Sequence, residues 1–223
     1  MKQYLPTLKT MSLFSGIKEE EILSLLSCLS ANVKQYKKEE QIIRSGDKTH
    51  YAYLVLSGTI LILQEDFWGN RNILSNFEAG SLFAETYACL PNSLIEVSVI
   101  AKQDCTIMCL DVTKLLSVCQ SVCYYHTQII KNFLSNIAAK NLLLTKKLEH
   151  LSKHTIRDRV LSYLSSESIR NHSNTFKIPY NRQQLADFLC VDRSALSNEL
   201  SKLQAEGIIE YQKNHFILMN ETT

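Results

Sequence analysis

The sequence predicts an α+β protein with an N-terminal β-barrel, a long helix and a C-terminal winged helix-turn-helix. Three observations carry this expectation. Gly46, Gly58, Gly69 and Gly80 recur every eleven or twelve residues between short β-rich runs, the turn interval of an all-β sandwich or barrel. Tyr124 to Leu151 contains neither Gly nor Pro and repeats Ile130, Ile137, Leu144 and Leu151 at seven-residue intervals. Asn181 to Leu203, NRQQLADFLCVDRSALSNELSKL, spells two short helices around a tight turn.

Met1 to Leu29 should be helical, with Ile22, Leu25, Leu26 and Leu29 on one face, because helical neighbours recur at three and four residues. From Val33 to about Asp111 the pattern turns to β. QIIR, YAYLVL, TILILQ and NILSNF lie between the turn glycines. IEVSVIA and CTIMCLD follow, and a short helix, VTKLLSVC, closes the barrel. The long helix carries a heptad stripe, widened by Phe133, Leu134 and Leu148. A sustained heptad suggests a coiled-coil seam between two subunits, with Ile130, Phe133, Ile137, Leu144 and Leu148 at the contact. Lys140 and Lys147 fall on the other seam line, so the zipper is imperfect. The alternative is one amphipathic helix packed on its own barrel. TIRDRVLSYLSSES then opens the last domain as a helix, and the polar run SSESIRNHSN should be a surface loop.

In the two-helix motif, Leu185, Ala186 and Leu189 make an apolar stripe on the first helix, and Leu196, Leu200 and Leu203 one on the second. Ala186 is small where the backbones should cross. Cys190 and Val191 lie at the turn, and Asp192 can cap the second helix by accepting from an early N–H. Arg193, Ser194, Ser197, Asn198 and Ser201 remain on the outer face. Such side chains can donate to base edges and phosphates in a major groove. Arg182 and Lys202 are further candidate DNA contacts. EGIIEYQKNHFILMN reads as two strands around a Lys213–Asn214 turn, which makes a wing. A plain packed hairpin with a solvated outer face is the competing reading. The cap, the small crossing residue and the wing argue against it.

Composition sets wide limits. At 223 residues the chain suits one large domain or two modest ones. A net charge of +2 neither demands nor forbids nucleic acid, so DNA affinity should come from a local face. No apolar run approaches a membrane span and no signal peptide opens the chain. The expected location is therefore cytoplasmic, and the seven scattered cysteines are read as reduced thiols. No Gly-rich phosphate loop, metal spacing or nucleophile–base motif is seen, so no enzyme is expected.

The order of these parts, with GSLFAE at Gly80 to Glu85, RDRVLSYL at Arg157 to Leu164 and the helix-turn-helix, resembles the Crp/Fnr superfamily of bacterial transcription regulators. The resemblance covers essentially the whole chain. It implies a jelly-roll effector domain over residues 1–123, a dimerisation helix over 124–151 and a winged helix-turn-helix over 152–223. It also implies a homodimer on pseudopalindromic promoter DNA, since two-fold symmetry supplies the second half-site. RNA polymerase is a further partner for an activator, and an effector in the barrel would change the pose of the recognition helices. Where the family has Gly at the turn, this chain has Cys190. The family's usual base-reading trio of Arg, Glu and Arg is matched by Arg193, Ser194 and Asn198, so only Arg193 carries over.

Cyclic-nucleotide-binding members carry a phosphate cassette, F-G-E-[LIV]-[AG], followed about ten residues later by R-[ST]-A. There, backbone N–H groups and an Arg hold the phosphate while the Glu takes the ribose hydroxyl. This chain reads FAETYACLPNSLIEV. Glu85 matches, Ala84 replaces the Gly, and Ile95 and Glu96 stand where Arg and Ser or Thr would be. Cyclic AMP is therefore not the expected effector. The candidate pocket comprises Glu85, Thr86, Ile95 and Glu96, with Leu82 close by and Leu144 and Thr145 reaching from the long helix. Glu85 is read either as a retained ligand contact or as an acceptor for turn N–H groups. An uncharged or aromatic small molecule and a purely structural barrel both remain open. Iron–sulfur members need a tight N-terminal cysteine cluster, whereas Cys28 is alone in the first eighty residues. His50, His126, His150 and His154 show no spacing of a haem pair and are read as solvated or helix-surface side chains. Cys119 and Cys123 lack further ligands nearby, and Cys89, Cys105 and Cys109 are read as apolar fillers. The competing function is a cyclic-nucleotide-binding regulatory subunit acting on a protein partner, which would not need Arg193 and its polar neighbours.

Overall fold

A computed structural model describes residues 1–65, 68, 71–90, 92–117 and 124–219, with residues 71 and 72 described by backbone alone. Two compact units emerge, Met1–Ala139 and Lys140–Thr223. Gly69, Cys119 and Cys123 lie outside the described residues.

The first unit opens with helices α1 (Leu5–Thr10) and α2 (Glu19–Cys28). Ile22, Leu25, Leu26 and Leu29 are all buried, as the spacing predicts. Among the described residues eight strands follow: β1 (Asn32–Tyr36), β2 (Gln41–Ile43), β3 (Tyr51–Ser57), β4 (Thr59–Glu65), β5 (Arg71–Glu78), β6 (Leu82–Phe83), β7 (Ser98–Ala101) and β8 (Cys105–Asp111). They form two antiparallel four-stranded sheets, ordered β1-β8-β3-β6 and β2-β7-β4-β5. Helix α3 (Glu85–Cys89) follows β6, and α4 (Val112–Leu116) follows β8. Gly58, at φ 86°, turns β3 into β4 where a Cβ would meet Asp104 O at 2.5 Å, so only glycine fits.

β8 is buried at every position, which explains why CTIMCLD lacks alternation. Leu54, Leu56, Met108 and Leu110 face a core shared with α1, α2 and the first half of the long helix. Val55 and Ile107 face the opposite way, into a second core with Ile43, Ile60, Phe83 and Val99. IEVSVIA forms a strand only from Ser98; Ile95 instead bonds the preceding turn, Gly46 N to Ile95 O at 2.8 Å and Ile95 N to Asp47 O at 2.9 Å.

The long helix, α5, runs Tyr124–Leu151 as expected from the missing Gly and Pro. The second unit adds α6 (Ile156–Asn171), β9 (Thr175–Lys177), α7 (Arg182–Leu189), α8 (Arg193–Ala205), β10 (Ile209–Gln212) and β11 (His215–Leu218). The expected loop SSESIRNHSN is a correction, because α6 continues through Asn171. Glu167 turns inward to 6% exposure, and the helix stops where His172 takes left-handed backbone at φ 49°. Among the described residues no helix is long and apolar enough to cross a membrane.

Candidate nucleic-acid interface

The helix-turn-helix is held by caps at both starts. Asn181 and Gln184 exchange bonds at the head of α7, Gln184 N to Asn181 Oδ1 at 2.9 Å and Asn181 N to Gln184 Oε1 at 2.8 Å. This reciprocal capping box satisfies two orphan donors. Asp192 caps α8 by accepting from Ser194 N at 2.7 Å and Ala195 N at 3.1 Å. The Ser194 hydroxyl and these amides hold the Asp192 carboxyl below its usual range. Between the helices Cys190 adopts φ 52° and ψ 51°, so the turn keeps the conformation that glycine favours. Leu185, Ala186, Leu189, Leu196, Leu200 and Leu203 are essentially buried in one core.

The RDR of α6 braces this motif. Arg157 pairs with Glu206 and Glu199, the latter at 3.6 Å, and holds the Glu206 carboxyl low. Arg159 donates to the carbonyls of Leu189 at 3.3 Å and Cys190 at 3.4 Å, which clasps the turn from outside.

One cleft, of about 650 Å³, opens at the start of α8. Arg182, Arg193 and Lys213 converge on it, with Asn181, Gln184, Pro179 and Asn214. Arg182 lies over the Tyr211 ring, Cζ to centroid 4.9 Å. Burial lowers the Arg182 pKa, and the Arg193 charge nearby works the same way. Cations gathered in a polar cleft at a helix N-terminus suit an anion.

The exposed face of α8 is selective in what it still offers. Arg193 and Asn198 are exposed. Ser194 donates to Asp192, Ser197 to Arg193 O at 2.9 Å and Ser201 to Ser197 O at 3.0 Å. These hydroxyls keep acceptor capacity while their protons stay within the chain. Lys202 lies 3.7 Å from Glu199, an intrahelical ion pair. Sequence reasoning overlooked Asn181, Gln184 and Lys213 as cleft residues, and Tyr211 as the ring beneath Arg182. A lysine at a hairpin tip was the one available signal.

Two sequence families match the chain: the cyclic nucleotide-binding domain over residues 33–122 and the Crp-like helix-turn-helix domain over residues 158–222. The chain belongs to the Crp/Fnr superfamily. The CRP-like protein Clp of Xanthomonas campestris pv. campestris (strain B100) is 23% identical over 190 residues, covering 83% of each chain. Among solved structures, the c-di-GMP responsive global regulator CLP of Xanthomonas campestris has a TM-score of 0.52 at 20% identity, covering 89% of this chain and 98% of that one. CprK complexed with OCPA has a TM-score of 0.60 at 16% identity, covering 88% and 89%. These neighbours share the fold. As a Crp/Fnr member the chain is a transcription regulator with a helix-turn-helix DNA-binding domain.

The Crp/Fnr cassette region is reshaped. Ala84 sits at φ 58°, and Glu85 is 4% exposed at the start of α3. Ile95, assigned above to an effector pocket, is instead a core residue at 2% exposure, packed with Ile43, Phe83 and Val99. A side chain so enclosed has no surface for a ligand. Thr86 and Glu96 are exposed. Tyr53 and Phe77 stack on Phe83 at 5.2 and 6.5 Å, so aromatic rings fill space between the sheets. Leu144 and Thr145 are exposed and belong to the second unit. Buried Ile95 stands at the family's arginine position, and the Glu96 carboxylate follows it.

Along α5, the five seam residues divide. Phe133 is 1% exposed inside the chain's own core, and Ile130 and Ile137 lean on that core. Leu144 and Leu148 are 63% and 67% exposed. Phe133 is therefore a core residue, because its side chain is already enclosed by its own unit. Leu134, one position on, is 55% exposed instead. Two histidines also depart from the surface reading. His126 is buried with Nε2 2.9 Å from Leu115 O, and His150 is buried with Nδ1 2.8 Å from Ser162 Oγ. Among the described residues no group of three or more His, Cys, Asp or Glu could hold a metal ion.

Proposed function

We propose that the protein binds pseudopalindromic promoter DNA as a homodimer, each subunit reading one half-site with α8, and that cyclic AMP is not its effector. The observation that carries this reading is the convergence of Arg182, Arg193 and Lys213 on one cleft at the head of α8. Arg193 leads the helix end that enters a major groove, where its fork can take both acceptors of a guanine. Asn198 follows on the same face. The cleft cations suit backbone phosphates, which position the protein without reading sequence.

The dimer reading rests on Leu134, Ile137, Leu144 and Leu148, with Asn141 at seven residues from both Leu134 and Leu148. A single polar residue on such a line sets register and strand number in coiled coils. No iron–sulfur cluster or haem enters this reading. RNA polymerase is the partner an activator of this kind would touch.

The test is a competition assay on a selected site and its single-base variants. Arg193→Ala should cost roughly 1–3 kcal/mol on the proper site and relax preference at one base pair per half-site. Equal loss on specific and random DNA would make Arg193 a phosphate anchor and overturn the readout assignment.

A further inference from the structure

We infer that Tyr211 is a positioning residue for DNA binding, holding the Arg182 guanidinium ready for a backbone phosphate at the cleft mouth. The inference rests on the cleft facing DNA, as proposed above.

Arg182 is a half-buried cation beside a like charge, Arg193. Among the described residues no carboxylate pairs with it. What holds it is the face of the Tyr211 ring, 4.9 Å from centroid to Cζ. A ring face attracts a guanidinium through its quadrupole. It also accepts none of the in-plane N–H groups, whereas a carboxylate would occupy two of them. The fork stays free for the paired oxygens of a phosphate.

The ring is itself fixed. Tyr211 on β10 stacks on Phe216 of β11 at 5.7 Å and 21°, and Phe216 stacks on Phe176 of β9 at 6.5 Å and 17°. These are direct cross-strand partners, Tyr211↔Phe216 and Phe216↔Phe176. Phe216 and Phe176 are 0% and 5% exposed. The wing sheet thus ends in an aromatic ladder whose last ring carries a cation from α7. One consequence is that the wing orients the first helix of the motif as well as touching DNA.

The experiment measures affinity for a selected duplex across a salt series, with the full chain carrying Arg182→Ala, Tyr211→Leu, both, or Tyr211→Phe. Each phosphate contact adds about 0.9 to the slope of log affinity against log salt. Arg182→Ala and Tyr211→Leu should each lower that slope by about one and weaken binding about three- to thirty-fold. The double variant should be no weaker than Arg182→Ala alone, and Tyr211→Phe should match the parent. Tyr211→Thr, which suits a strand, carries the same readout if the leucine variant loses its fold. An unchanged slope with a lowered melting temperature would reduce Tyr211 to a packing residue, and additive losses would break the link to Arg182. Failure of the parent reading looks different: the unaltered protein would then bind no selected duplex, or Arg193→Ala would leave its binding untouched.

Discussion

Cys190 and Ala84 each carry a Cβ into left-handed backbone, at φ 52° and φ 58°. Both stand where the Crp/Fnr pattern has glycine. The helix-turn-helix and the start of α3 keep their geometry and accept the steric penalty, about 1–2 kcal/mol for an L-residue in this region. Glycine removes that penalty but loses more chain entropy on folding. Cys190→Gly and Ala84→Gly should each therefore raise stability by about 1 kcal/mol, read as a higher denaturant midpoint with unchanged slope. Cys190 is exposed, so its variant loses only a weak thiol bond to Asp187 O at 3.7 Å. A lower midpoint would mean the left-handed turn is held by something glycine lacks. At this scale the sequence was legible wherever a rule is local. The Asp192 cap and the apolar stripes of α7 and α8 follow from spacings of three and four residues. Lys213 was not legible as a cleft residue, because only the folded hairpin brings it beside Arg193. Nor could spacing show that three serines direct their protons back into the chain.

Among the elements, α5 was read as one helix over Tyr124–Leu151, as found, but with one face misassigned. Phe133 and Leu134 are adjacent, and both extend a seven-residue stripe. Periodicity cannot tell a barrel-facing line from a partner-facing one when they lie about 100° apart on a helix. Burial separates them. The end of α5 is also a docking element. His150 is 3% exposed, bonds Ser162 of α6 and meets Tyr163 edge-on at 5.8 Å. Burial holds its pKa below 6.5; Lys146 and Lys153 push the same way and Glu149 opposes. The folded chain therefore resists a proton that the unfolded chain accepts, so stability is full above pH 6.5 and falls as pH drops below it. Glu167, raised by burial, works in the opposite sense. Comparing thermal unfolding of the parent and His150→Phe between about pH 5 and 7.5 isolates the histidine, since Glu167 is common to both. The parent should lose more melting temperature on acidification than the variant. Parallel pH profiles would remove His150 from the account.

For the whole molecule, the exposed leucines of α5 and the single reading helix point to the same need. One helix-turn-helix contacts one half-site, and specific affinity requires two at fixed spacing. Leu142, Leu143, Leu144 and Leu148 are all more than 60% exposed, an apolar surface that a lone chain leaves wet. Burying one leucine is worth about 1.5–3 kcal/mol. A parallel pair of helices would bury Leu144 and Leu148 from both chains, a gross gain of roughly 6–12 kcal/mol that must also offset the cost of association, so these leucines contribute to a dimer together with the rest of the seam. Ile137 is a poorer probe, because it also leans on the core of its own unit and its loss would confound folding with assembly. Leu144→Lys with Leu148→Lys avoids this, since both side chains are exposed within the single chain. The pair should leave the melting temperature at low concentration nearly unchanged, shift sedimentation from dimer to monomer and remove most affinity for a full palindrome. Affinity for one half-site should fall far less. A dimer that survives the double substitution would place the subunit contact elsewhere, and a monomer that still binds the full palindrome tightly would show that one helix-turn-helix suffices.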